Sequence, residues 1–268
     1  MVDIHSHILP QIDDGSQSLD ESIFMLRKSI ASGVDAIIAT PHLTPGTFTA
    51  PTMYRDQMMK ELQAEVERQQ LPIEIFTGRE CYFSPSIYNY EKDLGKLTIT
   101  DNGKYLLIES PMSEIPRYVD RMIFDLQVKG ITPIIAHAER YHDIIKNPNL
   151  LHKYIEMGCL IQVNIGSLLG QSGEQVHRTA EILLEHQMGH IIASDIHSDA
   201  SIPLGAGFEA LSKIVSQEEA LQLVEGRPRA IIQNLSVRRL DPLAYRPKKS
   251  FKNLWGFLSK PLPARDDW

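Results

Sequence analysis

Seven short apolar runs, alternating with stretches of helical periodicity, set the main constraint on how this chain can fold. The runs cover 2–5, 36–40, 73–77, 105–108, 132–136, 160–164 and 191–194. Ala-Ile-Ile-Ala at 36–39 and Pro-Ile-Ile-Ala at 133–136 are apolar throughout, as in strands covered on both faces rather than half-exposed antiparallel ones. Between the runs, residues 19–31 put Ile23, Leu26 and Ile30 on one helical face. Residues 52–70 space Tyr54, Met58, Leu62 and Val66 fourfold, and 174–188 repeat the pattern with Val176, Ala180, Leu183 and Leu184. Asn147-Pro148 opens a further helix over 148–157, which Gly158 ends. The alternation predicts an α/β protein, a distorted or incomplete barrel of βα units. An open doubly wound sheet is the alternative, because alternation carries no strand order.

The formal charge of -7, with 23% charged and 43% hydrophobic residues, suits a globular enzyme of 268 residues with a sizeable core. The charge is unevenly spread. Residues 246–268 hold six basic and two acidic side chains, leaving 21 basic against 32 acidic in 1–245. An acidic body argues against nucleic-acid binding, which needs a basic surface. No Gly-x-Gly-x-x-Gly or Walker-type lysine motif opens a helix, so no nucleotide cofactor is expected. Two cysteines, Cys81 and Cys159, imply no disulfide framework. The N-terminus lacks the basic-then-apolar pattern of a secretory signal, and no segment is apolar enough to span a bilayer. A cytoplasmic location is therefore expected.

Metal-ligating residue types recur at the ends of the runs. His5 and His7 follow the first, His42 the second, Glu80 the third, Glu109 the fourth, His137 the fifth, and Asp195 with His197 the seventh. In a parallel barrel the strand C-termini share one rim, where residues remote in sequence converge. Extended backbone also points His5 and His7 the same way, and likewise Asp195 and His197. Carboxylates with imidazoles suit Mn, Fe or Zn, and Glu80 and Glu109 offer bridging ligands for more than one ion. Asp195 is also a candidate proton handler, although metal binding would leave it a poor acid. His142, His152, His177, His186 and His190 lie in helical or turn regions without matching carboxylates. A cysteine phosphatase would need an arginine six positions after its nucleophile, and Ile87 and Ile165 stand there instead.

Together these residues form a known pattern. The sequence resembles the PHP (polymerase and histidinol phosphatase) superfamily, and within it the bacterial protein-tyrosine phosphatases of capsule and exopolysaccharide loci. The shared motifs are Asp3-Ile-His-Ser-His7-Ile-Leu-Pro10, Asp13-Asp-Gly15, Ala39-Thr-Pro-His42, Gly78-Arg-Glu80, Leu107-Ile-Glu109, Ala136-His-Ala-Glu-Arg140 and Ala193-Ser-Asp-Ile-His197, covering 1–240. The resemblance implies a distorted (β/α)7 barrel with three divalent metal ions, manganese being expected and iron or zinc the alternatives. By matching motif, His5, His7, Glu80 and Asp195 would hold one ion. Glu80, Glu109 and His137 would hold a second, and Asp14, His42 and His197 a third. Asp14 is promoted by the resemblance alone, since its Gly-containing loop otherwise reads as a turn. Three divalent ions outweigh four carboxylates, so the site would attract phosphate within an acidic protein. Arg140 would clamp the phosphoryl group. Many relatives have Pro where Ala138 stands, and some have an arginine after the Asp-x-His motif, where Ser198-Asp-Ala-Ser201 offers none.

The expected activity is metal-dependent hydrolysis of phosphotyrosine, with a tyrosine-phosphorylated bacterial kinase of surface-polysaccharide synthesis as partner. Tyrosinate, with a solution pKa near about 10, leaves with less acid assistance than an alkoxide. A small-molecule phosphomonoesterase such as histidinol phosphatase, a metal-dependent amidase or nuclease, and a non-catalytic phosphotyrosine-binding regulator are the alternatives; the full ligand set disfavours the last. The expected organisation is a catalytic domain over 1–240 and a basic, aromatic extension over 241–268. Read as a helix, the extension puts Phe251, Leu254, Trp255 and Leu258 on one face beside Arg246, Lys248, Lys249, Lys252 and Lys260. Residues 246–260 would then dock on an anionic membrane or the kinase; packing against the barrel bottom is the alternative.

Overall fold

Every named strand runs parallel to its neighbours. They are β1 (Val2–Ser6), β2 (Ala36–Ala39), β3 (His42–Leu43), β4 (Glu74–Thr77), β5 (Glu80–Tyr82), β6 (Tyr105–Glu109), β7 (Thr132–Ile135), β8 (Leu160–Asn164) and β9 (Ile191–Ala193). The structure, a computed structural model, describes residues 1–247. Residues 40–41 separate β2 from β3, and residues 78–79 separate β4 from β5, so the strand segments make seven staves at the seven predicted runs. Pairing runs β1-β2-β4 and β3-β5-β6-β7-β8-β9. The seam between β9 and β1 is joined by a Ser6–Ile196 bridge. There the Asp195 N–H donates to His5 O at 2.9 Å, and the His7 N–H to Ile196 O at 2.9 Å. These contacts make the sheet a barrel and remove the open-sheet alternative.

Successive residues of each strand divide between two apolar clusters, as strand alternation requires. Ile37, Leu106, Ile161 and Ile192 pack outward beneath the helices. Ile38, Leu107, Leu160 and Ile191 join Val2, Ile4 and Ile134 in a smaller cluster that fills the barrel interior. On β1 this alternation is broken. Asp3 pairs with Ile37 and Ser6 with Ala39, so β1 carries one more residue than β2 over this stretch. Such a bulge re-aims a side chain, and it lets His5 follow Ile4 toward the interior in step with His7.

The helices follow the predicted faces with instructive differences. Leu19–Ala31 is capped by Ser18, whose side chain accepts from the Glu21 N–H. Thr52–Arg68 buries Met58, Leu62 and Val66, but Tyr54 is partly exposed and the adjacent Arg55 is fully buried. Arg55 is satisfied by Asp56, by both oxygens of Asp101 and by Lys96 O. The helix predicted over 148–157 is shorter, Leu150–Glu156, since residues 147–149 form a preceding turn. Glu174–Glu185 agrees with its periodicity.

Beyond the last helix, the chain continues in extended form along the outside of the barrel. Tyr105 Oη donates to Leu235 O at 2.6 Å, and the Leu243 N–H donates to His186 O at 2.8 Å. Tyr245 exchanges two backbone hydrogen bonds with the Asn149 carboxamide. The predicted docking face, apart from Arg246, lies outside the described residues. Among the described residues, no helix is long and apolar enough to cross a membrane.

Candidate metal centre

The interior is apolar at one end and polar at the other, and the change occurs where the strands end. His5 lies near the end of β1 and His7 just follows it, His42 begins β3, Glu80 begins β5, and Glu109 ends β6. His137 and Asp195 follow β7 and β9 with φ of 33° and 56°. Both lie in the left-handed region that L-residues seldom occupy, a strain typical of sites whose surroundings over-determine them. Gly15 explains the Asp13-Asp14 loop. A Cβ there would lie 2.2 Å from His7 O and 2.4 Å from His7 Cβ. Only glycine lets the loop close on His7, with the Ser16 N–H donating to His7 O at 3.0 Å.

Glu80 is the hub. Its Oε2 lies 3.1 Å from His5 Nε2, 3.3 Å from His7 Nε2 and 3.1 Å from His42 Nδ1. Its Oε1 lies 2.8 Å from His137 Nε2. Asp195 Oδ1 lies 3.2 Å from His5 Nε2 and 3.4 Å from His7 Nε2. Glu109 is 3.3 Å from His42 Nδ1 and 4.0 Å from His137 Nε2. At the outer edge, Asp14 Oδ1 is 3.5 Å from His42 Nε2 and 3.7 Å from His197 Nε2.

All nine ligand-type residues expected from the sequence therefore meet in one place. Atoms of eight of them form three groups within 4.8 Å: His5, His7, Glu80, Asp195; His42, Glu80, Glu109; and His7, Asp14, His42, His197. His137 belongs to none of these groups and joins the centre through its 2.8 Å contact with Glu80. The first group has the expected membership. In the second, His42 stands where His137 was expected, and His7 joins the third. His142, His152, His177, His186 and His190 belong to none of the groups.

Several buried atoms here lack a hydrogen-bond partner and face the cluster: Glu80 Oε2, Asp195 Oδ1 and His42 Nδ1. Burying lone pairs unsatisfied is costly, and a hard or borderline cation among carboxylate and imidazole donors would satisfy them. The donor set thus fits divalent metal. Electrostatics points the same way. Burial lowers His5, but the Glu80 and Asp195 carboxylates outweigh it and raise the imidazole to about 9. Burial also opposes ionisation of Asp195, yet His5 and its neighbours hold it far below the usual carboxylate range. The carboxylates therefore draw positive charge onto the rings, charge that a metal ion would supply instead. Held so low, Asp195 has no proton to give near neutral pH.

The supporting residues were largely missed in the sequence. Asp13 Oδ2 accepts from His7 Nδ1 at 2.7 Å and from the His42 N–H at 2.9 Å. Arg79 is buried and donates to Ala50 O at 2.7 Å and His42 O at 3.4 Å, anchoring the loop that carries His42. Gln162 and Asn164 of β8 contact the histidines and Asp195. Their signal was present: two polar residues alternate in an otherwise apolar run, as His5 and His7 do.

The centre opens into a cavity of about 340 Å³. Arg140 is the one guanidinium in its lining among the described residues, and its Nη1 lies 3.3 Å from Asp195 Oδ2. The 198–201 loop supplies a hydroxyl, with the His197 and Ser198 N–H groups both donating to Ser201 Oγ. Cys81 and Cys159 are buried free thiols outside the cavity lining, and burial raises both above the ordinary thiol range.

Comparison with known proteins places the chain in a family. Residues 1–233 match the family model described as capsular polysaccharide synthesis, CpsB/CapC. The tyrosine-protein phosphatase YwqE of Bacillus subtilis is 33% identical over 255 residues, 94% of this chain and 99% of that protein. The tyrosine-protein phosphatase CpsB of Streptococcus agalactiae is 29% identical over 241 residues, 87% of this chain and 99% of that protein. A crystal structure from the pair YwqE of Bacillus subtilis and CpsB of Streptococcus pneumoniae, described as metal-dependent tyrosine phosphatases, superposes with a TM-score of 0.85. It shares 31% identity and covers 92% of this chain and 100% of that one.

Proposed function

Given that the chain belongs to the CpsB/CapC family of capsular polysaccharide synthesis, we propose that it is a metal-dependent protein-tyrosine phosphatase acting on a tyrosine-phosphorylated kinase of that process. The observation that carries this reading is the convergence of carboxylates and imidazoles from successive strand ends beside Arg140 in one open cavity. His5, His7, Glu80 and Asp195 would hold one ion. Glu80 and Glu109, with His137 or His42, would hold a second, and Asp14, His42 and His197 a third, manganese being the expected metal. Bound divalent ions supply a nucleophile at neutral pH and stabilise charge on the phosphoryl oxygens.

The protein's own side chains do the rest. Arg140 presents a forked donor to the phosphoryl group and orients it. Asp195, kept ionised, holds position rather than donating a proton. That suits a leaving group such as tyrosinate, which needs little protonation. The site of action is proposed to be cytoplasmic, with residues 246–260 docking the enzyme near a membrane-bound substrate.

A substrate panel tests the proposal. Purified protein should hydrolyse an aryl phosphate and phosphotyrosine in the kinase, with much lower kcat/KM for histidinol phosphate. Preference for histidinol phosphate would replace protein phosphatase with metabolite phosphatase. Tight phosphotyrosine binding without turnover would make the protein a recognition module.

A further inference from the structure

Two carboxamides on β8 lie beneath the ligands, and their hydrogen bonds run in one direction only. Gln162 is fully buried and Asn164 nearly so. The backbone N–H of His137 can only donate, and it points at one polar atom of the Gln162 side chain at 2.9 Å. That atom must be the oxygen, Oε1. His5 Nδ1 lies 3.1 Å from the same oxygen and must therefore carry a hydrogen. Gln162 Nε2 is then the donor to Asn164 Oδ1 at 2.7 Å. Asn164 Nδ2 is left to donate to Asp195 Oδ2 at 2.7 Å. The orientation of each amide follows from the one before. Glu139 Oε1 holds the origin of the second arm by accepting the Asn164 N–H at 3.1 Å.

We propose that Gln162 and Asn164 are positioning residues, a polarised pair that fixes the aim of His5, His137 and Asp195 toward the ions. The proposal rests on the reading of the centre as a metal site. With Nδ1 committed to Gln162, the lone pair of His5 belongs to Nε2, which faces Glu80 and Asp195. With Oδ2 committed to Asn164, Asp195 turns Oδ1 inward to the two histidines. Partners of this kind set tautomer and orientation, and their loss typically weakens metal affinity by about 10- to 100-fold. Gln162 touches both His5 and His137, so its loss is felt at two ion positions. Asn164 acts through Asp195 alone.

The test is manganese affinity, measured by competition with a chromogenic chelator on the full chain, together with the unfolding midpoint of each metal-free protein. Gln162→Leu should weaken manganese binding by about 10- to 100-fold, and Asn164→Leu by less, while both metal-free proteins still unfold cooperatively at somewhat lowered midpoints, since each leucine leaves a buried donor unpaired. Gln162→Glu should recover part of the affinity, since one carboxylate oxygen still accepts from His5 and His137 while the other can no longer donate to Asn164 Oδ1. A purely structural role predicts the reverse, because an added buried charge harms packing more than leucine does. Wild-type affinity in Gln162→Leu, or Gln162→Glu no tighter than Gln162→Leu, would overturn the proposal. If Gln162→Leu does not fold, comparison of Gln162→Glu with Asn164→Leu decides: binding by the former must be the tighter. Failure of the wild-type protein to bind manganese would instead remove the metal reading beneath it.

Discussion

Replacing Gly15 with alanine should disable the centre while leaving the barrel folded. The added Cβ would sit 2.2 Å from His7 O and 2.4 Å from His7 Cβ. Ordinary carbon contacts begin near about 3.5 Å, so the loop must retreat by about 1 Å or more. The obstruction is backbone and Cβ, and neither can swing aside. Overpacking of this kind costs about 1–3 kcal/mol. The larger consequence is geometric, because the same loop carries Asp13, 2.7 Å from His7 Nδ1, and Asp14 at the outer edge. A displacement of about 1 Å can cost about 100-fold in rate, and losing the Asp13 support should weaken metal binding by about tenfold or more.

Gly130→Ala is the matched control. Its φ is +78° and nothing lies within 4 Å of the added Cβ, so it should cost about 1 kcal/mol of stability through backbone strain alone. The assay compares kcat and KM on an aryl phosphate, bound manganese by elemental analysis, and denaturant midpoints for both variants. Gly15→Ala with wild-type kcat and metal content, or the same activity loss in Gly130→Ala, would refute the reasoning.

Glu80→Ala should lose bound metal and nearly all turnover. Arg140→Ala should keep its metal and lose about 10- to 100-fold in kcat/KM, the worth of one or two charge-assisted bonds; the opposite assignment of metal loss would show the roles reversed. His190 is buried with a pKa lowered to about 3, by burial and then by Arg227. Below about 6.5 the unfolded chain gains a proton that the folded chain refuses, so stability falls by up to about 1.4 kcal/mol per pH unit. His190→Gln should flatten that acid limb between pH 6.5 and 5 in chemical denaturation of metal-free protein, and parallel limbs would contradict it. Truncation after Pro247 should leave hydrolysis of a small aryl phosphate within about threefold and reduce activity on membrane-associated kinase. Truncation after Leu240 should also lower the melting temperature, because the Leu243 and Tyr245 contacts are lost; equal melting temperatures would show those contacts to be inert.

The staves were legible because burial on both faces leaves continuous apolar runs, and the ligands because they punctuate those runs. Barrel closure was not legible in the alternation itself, which has no strand order, and came only through the family resemblance; physically it depends on the seam at His5, Asp195 and Ile196. Nor was the β1 bulge, which arises from pairing with β2 rather than from local propensity. Fourfold spacing pointed to Tyr54 as the start of a buried stripe, yet Arg55 lies inside because Asp101 reaches it from a distant loop. Asp14 needed the family resemblance, as a partly exposed carboxylate beside glycine has no local mark of a ligand. Asp13, Gln162 and Asn164 hydrogen-bond to the candidate ligands His5, His7, His137 and Asp195. Their polarity was visible, but their targets become apparent only when the strands are brought together.

The central claim is most directly tested by turnover of a phosphotyrosine peptide before and after metal removal. The protein is stripped with a stringent chelator, shown metal-free by elemental analysis and by an unchanged fold, and assayed with and without added manganese. Turnover should vanish in the stripped protein and return with manganese. Full turnover by protein verified as metal-free would contradict the account.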